Sequence, residues 1–255
     1  MRLYSEERKK YIIDKLNIKS KVSVRELSEE LNTSEVTIRK DLDELEQQKL
    51  LSRTFGGAVK INTLSSQLPY EERSVSNIKN KQAIAKRASF LLNDGMNIFL
   101  DAGTTTKEII PFLLPYKDLT IITYDISLAS ELAKLKDIKV LILGGELEHE
   151  TMCALSIDTY KILSTLRADL AFLACDAFDV DGAYSSTDIK KSLKNIMVKN
   201  AKISALLVDS SKYNKQSLSV FADFDQFDYL ITDKNNKELI TFKEKMKEKK
   251  LKILF

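Results

Sequence analysis

The sequence predicts an α/β protein in two units: a small N-terminal unit of three helices and a hairpin, then a larger unit with a mostly parallel sheet. Three observations predict it. Apolar residues recur at helical spacing from Ile12 to Leu45, short β-rich runs flank a Gly56-Gly57 turn, and from Asn97 onward short apolar runs alternate with helical segments. Seven glycines and three prolines in 255 residues, 44% of them hydrophobic, fit a chain that buries a core and exclude a collagenous or disordered polymer.

In the first unit, Ile12 and Leu16 lie one helical turn apart on a charged background between Glu6 and Leu16, which predicts a short amphipathic helix. Ser23-Val24-Arg25-Glu26 has the form of a capping box ahead of a second helix with Leu27 and Leu31 on one face. Asn32-Thr33 interrupts the run, and Ser34 is placed to cap a third helix whose Ile38, Leu42 and Leu45 face the other two. At about 100° per residue, Val36 and Lys40 point away from that stripe, with Thr37 and Arg39 on its flanks. Glu35 accompanies them at the helix start. A valine on a solvent face, beside Thr, Arg and Lys, suits the reading of a thymine methyl between phosphate contacts, although helix geometry alone equally allows an isolated surface valine. Leu50 to Ile61 then reads as two short strands about Gly56-Gly57, with Arg53 and Lys60 as candidate phosphate contacts. Together these elements form a winged helix-turn-helix over residues 1–61.

Residues 62–80 carry Ser, Asn and one Pro without sustained periodicity and read as a connection that is ordered in part. The second unit spans 81–255. Its strands are expected at Ile98–Leu100, Thr120–Ile122, Val140–Leu143, Leu170–Leu173, Ala205–Val208 and Tyr229–Ile231. Open sheets of this kind bind ligands at the carboxyl ends of their strands, so the loops after these runs are the candidates. Asp101-Ala102-Gly103-Thr104-Thr105-Thr106 offers a glycine, three hydroxyls and a helix start, a set of donors suited to a phosphate and equally common as an ordinary helix cap. An aspartate would repel a phosphate, so Asp101 is expected to orient the loop or to meet a sugar hydroxyl. Gly144-Gly145 ends another strand, as an amide-lined approach to the same crevice or as a plain tight turn. Asp176 and Lys212 sit at two further strand ends, where a carboxylate and an ammonium complement sugar hydroxyls and phosphate, or are simply solvated.

Charge and cysteines narrow the function. The net charge is +3, and residues 1–60 hold thirteen Lys/Arg against eleven Asp/Glu, which argues against a protein that coats nucleic acid by bulk electrostatics. Cys153 and Cys175 lie in apolar surroundings without CxxC spacing, and His149 stands alone, so neither a disulfide nor a metal site nor a cofactor is expected. No apolar leader opens the chain and no run approaches the ~20 apolar residues of a membrane span, so a cytoplasmic protein with no membrane partner is expected.

The run Ser34-Glu35-Val36-Thr37-Ile38-Arg39-Lys40-Asp41-Leu42, with Leu45-Glu46, Leu50, Arg53 and Gly56-Gly57-Ala58, resembles the signature of the DeoR family of bacterial repressors. The likeness runs through Tyr70-Glu71-Glu72-Arg73, Lys81 and the four strand-end loops, nearly the whole chain. It implies a sequence-specific regulator that binds operator DNA as a homo-oligomer, dimer or tetramer, under control of a phosphorylated sugar. It also implies a second unit related in fold to ribose-phosphate isomerases and glucosamine-phosphate deaminases. The chain departs from the family where Lys49 replaces a usual glycine, Phe55 a histidine, Tyr124-Asp125 a common asparagine, and Ala154 and Ala177 two glycines. The alternative is an isomerase or deaminase with an appended DNA-binding module. Asp176 could serve as its base, but no histidine or second carboxylate stands in a loop motif as the matching acid.

Overall fold

The computed structural model describes residues 4–19, 21–48, 50–54, 56–59, 70–233 and 237–255. Lys49, Phe55, Lys60, Ile61 and the first part of the expected connection lie outside the described residues. The chain forms two compact units, Met1–Thr63 and Leu64–Phe255.

The first unit contains α1 (Ser5–Lys19), β1 (Lys21–Ser23), α2 (Val24–Glu30), α3 (Glu35–Gln47), β2 (Ser52–Thr54) and β3 (Gly57–Val59). Ile12, Leu16, Leu27, Leu31, Ile38, Leu42 and Leu45, the positions the periodicity marks as inward, are all buried in one core. Ser23 Oγ accepts the Glu26 N–H at 3.1 Å and starts α2; of the reciprocal capping pair expected, the serine half is the one made. Ser23 also belongs to a strand absent from the sequence reading. β1 pairs antiparallel with β3, so the hairpin becomes a three-stranded sheet ordered β1-β3-β2. The two turn glycines act differently: Gly56 has φ +81°, whereas a Cβ on Gly57 would lie 2.1 Å from the Val22 carbonyl oxygen.

The second unit opens with α4 (Tyr70–Val75) and α5 (Ile78–Ala88). Residues 70–80, expected in the connection, are tied to this unit. The Tyr70 N–H donates to the Glu150 carbonyl at 3.1 Å, Asn77 Nδ2 to Asp209 Oδ1 at 3.2 Å, and Asn80 Nδ2 to Asp233 Oδ2 at 2.8 Å. Then follow β4 (Asn97–Leu100), α6 (Thr104–Lys107), β5 (Thr120–Thr123), α7 (Ile126–Leu132), β6 (Lys139–Ile142), β7 (Glu146–Glu148), β8 (Cys153–Leu155), α8 (Ile157–Thr165), β9 (Ala168–Leu173), β10 (Ala177–Asp179) and β11 (Gly182–Ser185). The chain ends with α9 (Asp188–Asn200), β12 (Ala201–Leu207), β13 (Ser219–Ala222), β14 (Tyr229–Ile231), α10 (Lys237–Lys245) and β15 (Lys252–Leu254).

Seven strands form one sheet in the order β15-β14-β12-β9-β4-β5-β6, with every pairing parallel. All six expected strands are in it, and β15 is the addition. Alternate residues serve opposite cores: Leu170 and Phe172 enter one, packed with Ile84 of α5 and Leu128 of α7, while Ala171 and Leu173 enter the other with Leu193 and Met197 of α9. A period of two over continuous apolar strands is the consequence of covering both faces. The chain runs outward from β4 through β5 to β6, then returns to β9 beside β4 and runs outward the other way. β4 and β9 therefore border the topological switch point, the place where open sheets of this kind bind ligands.

Candidate functional site: the reader helix and the switch-point crevice

On α3, Ser34 Oγ accepts the Thr37 N–H at 3.2 Å and lies 2.8 Å from Thr37 Oγ1, which fixes the start of the helix. Val36 is 74% exposed, as its place off the apolar stripe requires. Glu35 and Arg39 form an exposed ion pair at 2.9 Å, and Lys40 is exposed one residue further on. The opposite side of α3 is anchored by charge as well as by leucines. Buried Asp41 receives Arg8 Nε at 2.7 Å and its terminal nitrogen at 3.1 Å, a two-point grip that sets the rotation of α3 on α1. Arg53, expected to reach DNA phosphate, also has partners within the unit: Nε pairs with exposed Asp43 at 2.9 Å and NH1 donates to the Gly57 carbonyl at 2.9 Å. Its guanidinium braces the hairpin against α3, with two of its five donors committed to a carboxylate and a strand-end carbonyl.

In the second unit, Asp101 ends β4 at 0% exposure. Its Oδ1 accepts from Tyr124 Oη, and its Oδ2 from Lys194 Nζ and from the Ala174 N–H. Lys194 Nζ also donates to the Ala174 carbonyl at 3.0 Å. Asp101 is therefore the clamp that joins the ends of β4, β5 and β9 through α9, the loop-orienting role of the two expected for it. Gly103 permits this closure, since a Cβ there would approach Ala174 Cβ to 3.0 Å. Thr106 is likewise structural: its buried Oγ1 lies 2.8 Å from the carbonyls of both Asp101 and Gly103. The hydroxyls of Thr104 and Thr105 have no hydrogen-bond partner among the described residues, although both side chains are largely buried. The helix they open is a single turn of four residues, so its backbone N–H groups, rather than a helix dipole, are what the loop offers an anion.

Beside this loop, Lys107 Nζ donates to Ser127 Oγ at 2.9 Å, and Tyr70 Oη meets the same hydroxyl at 2.6 Å. Asp125, buried, caps α7 by accepting the Leu128 N–H at 2.9 Å on Oδ1. Its Oδ2 has no partner meeting hydrogen-bond geometry. Burial pushes its pKa up to about 6, against the opposing pull of the Leu128, Gly103 and Ser127 N–H groups and of Lys107. Asp176, half-buried, accepts the Ser186 N–H at 2.8 Å. Lys212 follows the Asp209-Ser210-Ser211 turn after β12, close enough to act electrostatically on Lys81 and on Cys175 beside Asp176. Lys81 is buried, donates to the Arg73 carbonyl, and has its pKa lowered chiefly by that burial.

Gly103–Thr106, Asp176 and Lys212 thus lie on the loops that follow β4, β9 and β12, three successive strands of the sheet. Gly144 and Gly145 have a role in the fold: the Gly144 carbonyl accepts from Thr159 Oγ1, and a Cβ on Gly145 would sit 2.3 Å from the Leu155 carbonyl carbon. Tyr124, Ala154 and Ala177 are buried, Tyr124 within the Asp101 clamp, Ala154 with its N–H on the Tyr124 carbonyl, and Ala177 paired with Tyr184 in the β10–β11 ladder. Lys190 and Lys194 escaped the sequence reading. Their signal is phase: both share the buried face of α9 with Leu193 and Met197, where a lysine must find an anion. Both do, in Glu148 and Asp101. Cys153 and Cys175 are free thiols, Cys153 raised to about 11 by burial. Among the described residues no helix is long and apolar enough to cross a membrane.

A helix-turn-helix reader followed by an α/β unit built on a seven-stranded parallel sheet has the architecture of a DNA-binding regulator with a sensor domain. Residues 8–64 match the DeoR-like helix-turn-helix domain and residues 76–234 the DeoR C-terminal sensor domain. The chain belongs to the DeoR family. It is 35% identical to the HTH-type transcriptional regulator YulB of Bacillus subtilis, over 89% of this chain and 88% of that one. It is 35% identical to the HTH-type transcriptional regulator GlpR of Haloferax volcanii, over 89% of each chain. The glycerol-3-phosphate regulon repressor of Escherichia coli is 29% identical over 87% of this chain and 88% of its own. These relatives are transcriptional regulators, not enzymes, which decides against the isomerase or deaminase alternative.

Proposed function

We propose that this chain is a cytoplasmic repressor of a carbohydrate-metabolism operon, released or engaged by a phosphorylated sugar or polyol. The observation that carries the ligand class is the pair of unpartnered hydroxyls, Thr104 and Thr105, at the switch point, with Lys212 on the loop after β12, across β9 from them. A dianionic phosphate needs several fixed donors and one cation, and this corner supplies hydroxyls, backbone N–H groups and an ammonium. Asp176 stands at the adjacent loop for a sugar hydroxyl. The name of the E. coli relative, a regulon repressor for a phosphorylated polyol, is consistent with the same class.

On the reader, Val36 with Thr37, Arg39 and Lys40 forms the surface that enters the major groove, and Ser34 and Glu35 set its start. Two readers in a homo-oligomer address two half-sites, since one covers too little DNA to select a site in a genome. The effector acts by linkage: it binds one subunit arrangement better than another, by about 1–3 kcal/mol in familiar systems. A thermal-shift screen of sugar and polyol phosphates against the full chain tests the ligand class. A true effector at one hundred times its dissociation constant stabilises the fold by about 2.7 kcal/mol. Stabilisation by the unphosphorylated sugars, with none by their phosphates, would sink the proposal.

A further inference from the structure

β6 is an edge strand, and among the described residues it pairs with β5 alone. The Lys139 N–H donates to the Leu119 carbonyl at 2.9 Å and the Leu143 N–H to the Thr123 carbonyl at 2.8 Å. Main-chain groups alternate direction along a strand, so Val140 and Ile142 turn their N–H and C=O groups outward. The side chains are as open as the backbone. Leu141 is 39% exposed and Ile142, on the other face, 49%. Edges in natural proteins are shortened, charged or covered; the opposite edge, β15, starts on exposed Lys252 and buries Ile253. β6 also starts on an exposed lysine, Lys139, but leaves Leu141 and Ile142 exposed beyond it where β15 buries Ile253.

We propose that β6 pairs with β6 of a second copy of this chain, antiparallel, across a two-fold axis at Leu141. The register follows from the ladder. Antiparallel strands exchange both hydrogen bonds at pairs whose main-chain groups face each other, and with Leu141 on the axis Val140 meets Ile142 of the second copy, twice over. Four backbone hydrogen bonds result, and the two Leu141 side chains meet at the axis. The charges agree with this direction and oppose the parallel one. Exposed Lys136 and Lys139 lie at the start of the strand, with Asp137 between them, and exposed Glu146 lies beyond its end. Antiparallel pairing brings the lysine end of each copy to the glutamate end of the other, as an isologous interface requires. Parallel pairing would set like ends together.

This contact specifies the surface of the homo-oligomer proposed above, and it is tested by mass alone, without DNA or effector, so its failure leaves the regulatory reading standing. Sedimentation velocity of the full chain gives the wild-type mass. Leu141→Lys places like charges against each other at the axis and is expected to halve that mass, as is Leu141→Glu. Mixing the two variants is expected to restore it, because Lys then faces Glu; a purely structural defect would not be rescued by a second defective partner. Circular dichroism checks the fold. Should the Leu141 variants unfold, Val140→Pro removes an outward N–H that β5 does not use and is expected to halve the mass as well. A monomeric wild type, or variants with the wild-type mass, overturns the proposal, and so does a mixture of folded Lys and Glu variants that stays at half mass.

Discussion

Asp125 carries a charge that the fold does not welcome, and replacing it by asparagine tests how much that costs. Its carboxyl is buried, with one oxygen capping α7 and the other unpartnered. Burial raises its pKa from the ordinary 3.8 to about 6. An acid whose folded pKa is raised holds its proton more tightly in the native state. Between about pH 4 and pH 6 the folded chain therefore binds more protons than the unfolded one, and stability falls as pH rises through that window, then levels off. The span of the shift corresponds to about 3 kcal/mol. An asparagine side chain has no charge to bury and keeps an oxygen for the Leu128 N–H. An amide facing backbone N–H groups adds its own fixed penalty, but that penalty does not vary with pH. The stability of Asp125→Asn relative to wild type should thus rise by about 3 kcal/mol between pH 3.5 and pH 7.5, or about 6–12 °C in Tm for a unit of this size. Thermal unfolding followed by circular dichroism across that range measures it. A difference that stays constant with pH would refute the reasoning, and a difference that shrinks as pH rises would show that a partner not considered stabilises the carboxylate.

Three further outcomes are expected. Lys194→Met strands the fully buried Asp101 carboxylate and should destabilise the second unit by about 3–5 kcal/mol, whereas Lys194→Met with Asp101→Asn should recover much of the loss, as chemical denaturation would show. Arg39→Ala or Lys40→Ala should weaken operator binding with an unchanged melting profile; titrations at several salt concentrations separate a base contact, with about 1–3 kcal/mol lost at particular sequences, from a phosphate contact that weakens all DNA alike and flattens the salt slope. Thr104→Val with Thr105→Val should abolish the effector response while operator binding persists, with Lys212→Met acting in the same direction more weakly; a wild-type response in the double variant would place the ligand elsewhere.

The fold was legible because burial leaves a period. Ile38, Leu42 and Leu45 announce one helix face, and Leu170 to Leu173 read as a strand because both of its faces are covered. β15 was not legible, since Lys252-Ile253-Leu254 offers three residues, one of them charged, and takes its strand form from its pairing to β14. β1 was hidden for a related reason: Ser23 is at once the last residue of a strand and a helix cap, and the cap is the stronger local signal. Residue type marked the strand-end loops but could not assign roles within them, because a hydroxyl or carboxylate is defined by the partner it finds. Thr104, Thr105 and Thr106 are identical in sequence, yet one rotation around a single helical turn sends only the third into its own loop carbonyls. Asp101 admitted two roles, and a lysine 93 positions along the chain decides between them. Arg53 shows the converse. A basic residue on a hairpin suggests DNA, and the structure adds a partner within the unit, Asp43, whose carboxylate comes from the outer side of α3, a face whose pattern reads only as solvated. What periodicity cannot encode is which of two opposite charges is near enough to close a pair, and in this chain that distinction separates the residues that build the site from those left free to meet a ligand.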